Sequence, residues 1–226
     1  MMGYAQMGVD LKYLITASFM AAPGGLMMAK ILIPETLSHD EKPETDSVEA
    51  EEQPVNKFEA IGNGAMTCLN VALAVGAMLI AFVGLIYLVN GLLGLAGELV
   101  GIEDLTVQWL LGKLFAPIAF LIGVPWSEAA EAGSLIGQKL VINEFYAYVS
   151  FVGVRESLSP YTQLVVTFAL CGFSNLASIA ILLGGLGAVV PSRRHDIARL
   201  GLKAVIAGTL VNLLNAALAG FFYTLQ

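Results

Sequence analysis

Charged residues are scarce in this sequence. Charged residues make up 13% of the 226-residue chain and hydrophobic residues make up 57%, whereas a typical soluble domain is roughly 25% charged. No charged residue lies between Glu59 and Glu98, or between Glu156 and Arg193. Because about 20 apolar residues cross a hydrocarbon core about 30 Å thick, both stretches are long enough to span a membrane. Lipid is therefore the expected solvent of most of the chain.

Several motifs of secreted and catalytic proteins are also missing. The first nine residues have no basic region and no small-residue cleavage site, so no secretory signal is expected. No G-x-S-x-G and no glycine-rich loop followed by Lys-Ser or Lys-Thr occurs, which argues against serine hydrolysis and nucleotide hydrolysis. His39 and His195 have no ligand partners at metal spacing. Cys68 and Cys171 lie far apart in apolar runs and are interpreted as small hydrophobic residues.

The apolar runs are continuous and lack two-residue alternation, which is typical of membrane helices rather than of a membrane barrel. The sequence therefore predicts an all-α integral membrane protein. We expect a first span over Leu14–Ile33, interrupted by a Pro-Gly-Gly break at Pro23–Gly25, and later spans over about Val75–Leu95 and Ala204–Tyr223. A helix over Phe58–Leu73 is expected to lie at the membrane interface before the second span.

An acidic segment follows the first span. Nine of the 18 acidic residues lie between Glu35 and Glu59. This polar, proline-interrupted composition predicts a solvated linker, and a tail that attracts cations or binds a partner is the alternative. We divide the chain into a first span at 1–34, an acidic linker at 35–57, an interfacial and a scaffold helix at 58–106, and a last unit at 107–226.

The apolar stretch after the second span is too short to cross a membrane. Only 14 uncharged residues separate Lys113 from Glu128, and prolines and a glycine interrupt them. A run of this length favours a re-entrant segment. We predict a helical hairpin over Val107–Phe145 that dips into the membrane, with its turn near Gly123-Val-Pro-Trp126.

The second arm of this hairpin carries four charged residues, Glu128, Glu131, Lys139 and Glu144. A charge that faces lipid costs several kcal/mol, so this arm is expected to face protein or water. Glu144 is the functional candidate, and a structural salt bridge to Lys139 is the alternative. Glu128 and Glu131 are expected at the mouth of the hairpin or on a solvated face.

The run Thr162–Val190 has a polar centre, CGFSNLAS. Asn175 and Ser178 are three residues apart and share a face if the helix is continuous. Gly172 and the polar cluster predict instead that the helix is broken here. Hydrogen bonding between helices is the alternative role for Asn175 and Ser178.

The segment PSRRHDIARLGLK at 191–203 holds four of the 11 basic residues. The positive-inside rule predicts a cytoplasmic loop here. The last span, Ala204–Tyr223, then runs outward.

A hairpin, a broken helix, a basic loop and a final helix follow one another as in the second unit of an inverted-repeat transporter. The whole chain except the acidic linker resembles bacterial members of the concentrative nucleoside transporter family. The resemblance is carried by TASFMAAPGGL, GAMLIAFVGLI, LFAPIAFLIGVPWSEA, VINEFYAY, TFALCGFSNLASIAILLGGLG and RRHDIARLGLKAVIAGTL.

The resemblance implies roles for four residues. Glu144, in the sequence NEF, matches a membrane-embedded glutamate that contacts the sugar of the nucleoside. Asn175 and Ser178 match a polar pair that hydrogen-bonds the ribose, and Phe173 matches an aromatic residue beside that sugar. The chemistry agrees, because a carboxylate, an amide and a hydroxyl can together accept from and donate to the vicinal hydroxyls of a ribose.

The resemblance also implies symport of nucleosides such as uridine, coupled to Na+ or H+, by a homotrimer in the lipid of a bacterial inner membrane. No other cofactor and no nucleic-acid partner is expected. The family's first repeat, which reads the base, has no counterpart here, so we expect this chain to supply the ribose half of the site. The alternative is a truncated, non-transporting remnant, or a subunit that needs a separate N-terminal half. An intramembrane enzyme is disfavoured because no second catalytic group accompanies Glu144.

Overall fold

The computed structural model describes residues 2–34, 56–102, 105–189 and 193–225. Every regular element in these ranges is helical, which confirms the all-α prediction, and a 3-10 turn (Arg155–Ser157) lies between the sixth and seventh helices. The acidic linker lies outside the described residues except for its last two. The helices are α1 (Met2–Gln6), α2 (Leu11–Leu32), α3 (Lys57–Val100), α4 (Val107–Leu121), α5 (Trp126–Val141), α6 (Glu144–Val154), α7 (Pro160–Leu170), α8 (Leu176–Val189) and α9 (Arg194–Tyr223).

Two described helices, α2 and α9, are long and apolar enough to cross a membrane. The pair α4 and α5 is apolar enough as well, but it bends by 115° between the two helices. A bend of this size fits a broken span or a re-entrant hairpin. The described part of the chain therefore has the elements of the predicted integral membrane fold.

The predicted break in the first span is wrong, because α2 continues through Pro23 without interruption. A proline inside a helix removes a single backbone donor, and neighbouring helices can cover the freed carbonyl. Gly24 serves helix packing instead. A Cβ there would lie 2.9 Å from Cγ1 of Val211, so the missing side chain lets α2 approach α9 closely.

Helix α3 is one continuous helix of 44 residues, so Phe58–Leu73 is not the separate element that we expected. Asn56 caps its start by accepting a 2.9 Å hydrogen bond from the backbone N–H of Glu59. No proline or other terminator occurs before Gly101, where φ is 71°. At 1.5 Å per residue the helix is about 66 Å long, about twice the thickness of a hydrocarbon core.

A chain of polar side chains joins α3 to the hairpin. Oδ1 of Asn90 accepts a 2.8 Å hydrogen bond from the backbone N–H of Val107. Its Nδ2 donates to Oε1 of Gln108 at 3.0 Å. Nε2 of Gln108 in turn donates to the hydroxyl of Tyr146 at 3.2 Å. These hydrogen bonds therefore connect α3 to the first turns of α4 and α6.

The hairpin is present as predicted, with its turn at 122–125 and Gly123 at φ 105°. Its two arms approach backbone to backbone. A Cβ on Gly133 of α5 would lie 2.6 Å from the backbone nitrogen of Ala116 in α4. A Cβ on Gly112 would lie 2.8 Å from the carbonyl oxygen of Ala130. The small residues of this stretch thus allow a tightly packed hairpin.

The predicted basic loop is mostly helical, because α9 begins at Arg194. Asp196 in its first turn forms a 2.9 Å ion pair with Arg193 and a 3.7 Å ion pair with Arg199. An acid at a helix N-terminus also complements the helix dipole. The predicted span Ala204–Tyr223 forms the remainder of the same helix.

Candidate functional site

The predicted break in the Thr162–Val190 run is confirmed. Helix α7 ends at Leu170 and α8 begins at Leu176, so the intervening residues 171–175 are not helical. The break segment, as we call residues 171–175, contains Phe173 and Asn175. A helix interrupted between α7 and α8 leaves backbone carbonyls at one end and backbone N–H groups at the other that need partners.

Asn175 and Ser178 together cap the start of α8. Oδ1 of Asn175 accepts a 2.8 Å hydrogen bond from the backbone N–H of Ser178. The Ser178 hydroxyl accepts from the Asn175 N–H at 3.3 Å and donates to the Asn175 carbonyl at 2.5 Å. This reciprocal pattern is that of a capping box. Each residue is 1% exposed, and their mutual bonds lie within one helix turn rather than between helices.

Glu144 is the first residue of α6, not the end of the hairpin arm where we expected it. The arm ends at Val141. Asn143 then caps α6 by accepting a 2.9 Å hydrogen bond from the backbone N–H of Tyr146. A capping asparagine ends the continuity of the arm because its backbone is extended. The half-buried Glu144 side chain consequently starts a new helix.

A hydrogen bond joins the break segment to the first residue of α6. Nδ2 of Asn175 donates to Oε2 of Glu144 at 2.9 Å. The carboxylate therefore lies at the N-terminal ends of both α6 and α8, where helix dipoles favour negative charge. Asn175 serves both groups at once, because its oxygen caps α8 and its nitrogen binds Glu144.

Lys139 is 3% exposed and does not pair directly with Glu144. Its Nζ donates to the carbonyl oxygen of Ala169 at 2.9 Å, close to the end of α7. Among the ion pairs of the described residues, none joins Lys139 to Glu144 within 4 Å. The alternative of a direct salt bridge is therefore not the geometry of this structure.

Phe173 lies in the break segment but is 54% exposed. It lines a cavity of about 180 Å³ together with Ser178 and two residues that sequence reasoning missed, Ser174 and Asn212. Both are buried, and Nδ2 of Asn212 donates to the hydroxyl of Ser174 at 2.7 Å. An asparagine inside the last apolar span was a signal that could have identified Asn212, because polar residues in membrane segments need partners.

Glu128 and Glu131 differ in their surroundings. Glu128 accepts a 3.0 Å hydrogen bond from the hydroxyl of Ser159, the residue that caps α7. Glu131 is exposed. Within the described ranges, no group of three or more His, Cys, Asp or Glu side chains could hold a metal ion.

Tyr4 of α1 packs near Glu144. Its ring lies 4.5 Å from the ring of Tyr148 and 6.3 Å from that of Phe145, measured between centroids. Burial, with a smaller contribution from the Glu144 carboxylate, raises the pKa of Tyr4 to about 12. A tyrosine is already neutral at physiological pH, and this shift widens that margin.

Known proteins resemble this chain over nearly its whole length. A sequence model of the family described as Na+ dependent nucleoside transporter C-terminus matches residues 13–220. The chain is 55% identical to the uncharacterized transporter YutK of Bacillus subtilis over 220 residues, which cover 97% of the chain and 54% of YutK. It is 50% identical to the nucleoside permease NupC of Helicobacter pylori over 232 residues, which cover 99% of the chain and 54% of NupC.

A solved structure has the same helical arrangement. The structure of CNTnw in an inward-facing substrate-bound state is 53% identical and superposes with a TM-score of 0.87, covering 99% of this chain and 53% of CNTnw. The chain thus spans about half the length of the proteins it matches. These relatives are transporters rather than enzymes. The family match covers well over half of the chain, and the chain therefore belongs to the concentrative nucleoside transporter family.

Proposed function

We propose that this chain supplies the ribose-binding half of a nucleoside:cation symporter of a bacterial inner membrane. The observation that carries the proposal is the 2.9 Å hydrogen bond between Nδ2 of Asn175 and Oε2 of Glu144 at a break in a membrane helix. Irregular backbone at membrane depth is tolerated only where it is covered by protein or lines a cavity. Polar groups gathered at such a break are typical of transporter substrate sites.

The hydrogen-bonding capacity at this point suits a sugar. An ionised carboxylate offers about four acceptor positions, and the described hydrogen bonds to Glu144 use one oxygen, Oε2. The second oxygen can accept from a ribose hydroxyl. Asn175 retains a second N–H that can donate to the same diol. Charge-assisted bonds of this kind are roughly twice as strong as neutral ones.

Phe173 and Ser178 have different parts in the proposed site. The exposed ring of Phe173 offers an apolar surface against which the sugar can pack. Ser178 acts by holding Asn175, because both described hydrogen bonds of its hydroxyl are made with that residue. We therefore assign direct sugar contact to Glu144 and Asn175, packing to Phe173, and positioning of the amide to Ser178.

The family to which the chain belongs supports a proposal for the coupling cation and for the assembly. The matching sequence model is named for Na+ dependence, and we propose Na+ or H+ as the coupling cation, nucleosides such as uridine as substrates, and a homotrimer as the assembly. Binding of cation and nucleoside together would favour an occluded state, and release on the cytoplasmic side would reset the carrier.

The test uses a chimera in which this chain is joined to the part of YutK that lies outside the matched region. Uridine uptake is measured in cells that lack their own nucleoside carriers. Glu144→Gln is expected to reduce uptake about 10- to 100-fold, because a charge-assisted hydrogen bond contributes about 1.5–3 kcal/mol. Replacing a Na+ gradient by a proton gradient then identifies the coupling cation.

Glu131→Gln is the matched control, since Glu131 is an exposed acid on the neighbouring helix α5. It undergoes the same chemical change and should leave uptake unaltered. The amount of each variant in the membrane is measured alongside uptake. Uptake that is unchanged in Glu144→Gln, at equal membrane abundance, would remove Glu144 from the site.

A further inference from the structure

Helix α5 brings opposite charges to the two ends of α7. At the start of α7, the Glu128 carboxylate accepts hydrogen bonds from the Ser159 hydroxyl at 3.0 Å and from the Ser159 backbone N–H at 3.3 Å. Near its end, the Lys139 ammonium donates to the Ala169 carbonyl at 2.9 Å. A negatively charged carboxylate therefore lies at the positive end of the α7 dipole, and a positively charged ammonium lies at its negative end.

The spacing of the two charges matches the length of α7. At 1.5 Å per residue, Glu128 and Lys139 are about 16 Å apart along α5, and Ser159 and Ala169 are about 15 Å apart along α7. Each charge meets one end of the same helix, so the two helices run parallel and in register. If α5 were displaced by one helical turn along α7, the contact of Glu128 with Ser159 and the contact of Lys139 with Ala169 would both be lost.

The end of α7 has no carbonyl left without a partner. Four different donors reach its last four carbonyl oxygens, where a helix end ordinarily needs caps or water. Only one of these donors is charged, and it comes from another helix. The four pairs are the Tyr148 hydroxyl to Thr167, the Cys171 N–H to Phe168, the Lys139 ammonium to Ala169 and the Gly172 N–H to Leu170.

Burying an ammonium group so that it binds one carbonyl oxygen costs free energy. Taking a charge out of water is costly unless other groups compensate it. Glu144 begins the next helix, five residues after Lys139, and the Ala169 carbonyl that Lys139 binds lies six residues before Asn175, the residue that binds Glu144. In other carriers, the C-terminal ends of broken helices coordinate the coupling cation. In this chain the ammonium group of Lys139 occupies the corresponding end of α7.

We propose that Lys139 is a built-in cation that positions the broken helix. It closes the end of α7 and offsets the charge of Glu144, so that the break segment holds Asn175 against the carboxylate without a bound ion at this helix end. Lys139 is thus a positioning residue that does not touch the nucleoside. Its relevance to nucleoside binding rests on the proposed function, whereas its effect on the fold does not.

The test is a double-mutant cycle on the 226-residue chain in detergent, followed by thermal unfolding. Lys139→Met is expected to lower the unfolding midpoint by about 5–10 °C, because it leaves the Ala169 carbonyl without its charged donor and the Glu144 carboxylate without a compensating cation. Adding Glu144→Gln should restore at least half of that loss, because the remaining charge is then removed as well. Lys113→Met, at an exposed lysine of α4, is the control and should shift the midpoint by less than about 2 °C.

The proposal is overturned if the midpoint losses of Lys139→Met and Glu144→Gln simply add in the double variant. It is also overturned if Lys139→Met has the same midpoint as Lys113→Met. If Lys139→Met alone does not fold, recovery of a folded double variant supports charge compensation. Failure of both variants to fold contradicts it.

Uptake by the YutK chimera tests the consequence for binding. Lys139→Met should raise the KM for uridine at least about tenfold and lower the maximal rate per folded carrier by much less, since a displaced break segment weakens substrate contacts. An unchanged KM would contradict the positioning role. If the thermal cycle succeeds while Glu144→Gln leaves uptake intact, the proposed nucleoside site is wrong and the role of Lys139 in the fold remains.

Discussion

The side chain of Asn212 holds the break segment from α9 through its 2.7 Å hydrogen bond to the hydroxyl of Ser174. Gly172 makes this approach possible, because a Cβ at that position would collide with the Asn212 amide. The break is therefore held from two directions. The first turn of α8 fixes Asn175, and α9 fixes Ser174.

Gly172→Ala should destabilise the chain by about 1–3 kcal/mol, the usual cost of forcing an extra methyl group into a packed interior. Thermal unfolding of the purified chain in detergent measures the effect. Adding Asn212→Ala should recover part of the loss by removing the amide that the methyl group strikes. Gly153→Ala is the control, because nothing lies within 4 Å of its added Cβ. Equal midpoints for the two glycine variants would contradict the close packing described here.

Asn175→Asp separates the capping role of this residue from its contact with Glu144. Aspartate still caps a helix, but it places a second carboxylate against the first, and like charges in contact repel. We expect α8 to stay folded and the KM of the chimera for uridine to rise at least about tenfold.

Asn56→Asp makes the same change at the exposed cap of α3, far along the chain from the site, and should leave the KM unaltered. A normal KM in Asn175→Asp would show that the amide nitrogen of Asn175 is dispensable.

Gly133→Ala should be more damaging than Gly24→Ala, although each adds one methyl group between two helices. At Gly133 the methyl group meets backbone atoms, the nitrogen of Ala116 at 2.6 Å and the carbonyl carbon of Phe115 at 2.7 Å. At Gly24 it meets side-chain atoms instead, of which Cγ1 of Val211 is the nearest at 2.9 Å. Backbone cannot rotate away, so we expect a loss of at least about 2 kcal/mol at Gly133. Thermal unfolding compares the two, and a larger loss at Gly24 would reverse this ranking.

The 226-residue chain alone, reconstituted in liposomes with an imposed Na+ or proton gradient, should not concentrate uridine. It spans 54% of YutK, and the proposed site needs a second half to enclose the nucleoside. The chimera in parallel liposomes is the positive control. Accumulation by the chain alone would show that these residues form a complete carrier.

The hairpin and the broken helix were predictable because turn-forming and polar residues occur there inside otherwise apolar runs. A turn containing Gly123 and Pro125 in a short apolar run cannot continue as a helix across lipid. The sequence CGFSNLAS places several polar groups in the middle of a span, where they need partners. In both places the membrane narrows the possible conformations, so local sequence is informative.

Where local signals were weak, packing decided the outcome. Pro23 favours a break, but it removes one hydrogen bond in a helix that packs against α9. The basic stretch at 191–203 is typical of a loop, but Asp196 pairs with Arg193 and Arg199 in the first turns of a helix. The boundary expected near Leu73 has no terminator in the sequence, and helix formation continues through it.

The site was predictable only as a set of residues. The resemblance to the family singles out Glu144, Phe173, Asn175 and Ser178, but the sequence does not show that Asn175 is shared between a helix cap and a carboxylate. The contact between Lys139 and Ala169 depends on the register of α5 against α7. No periodicity within either helix encodes that register.

The hydrogen bonds of Asn90 attach α3 to α4 far from the middle of this long helix. Asn90 joins it to α4 ten residues before its end, at Val100, and thirty-three residues after its start, at Lys57. At 1.5 Å per residue the two arms measure about 15 Å and about 50 Å. If α3 tilts about Asn90, its N-terminal end moves more than three times as far as its C-terminal end.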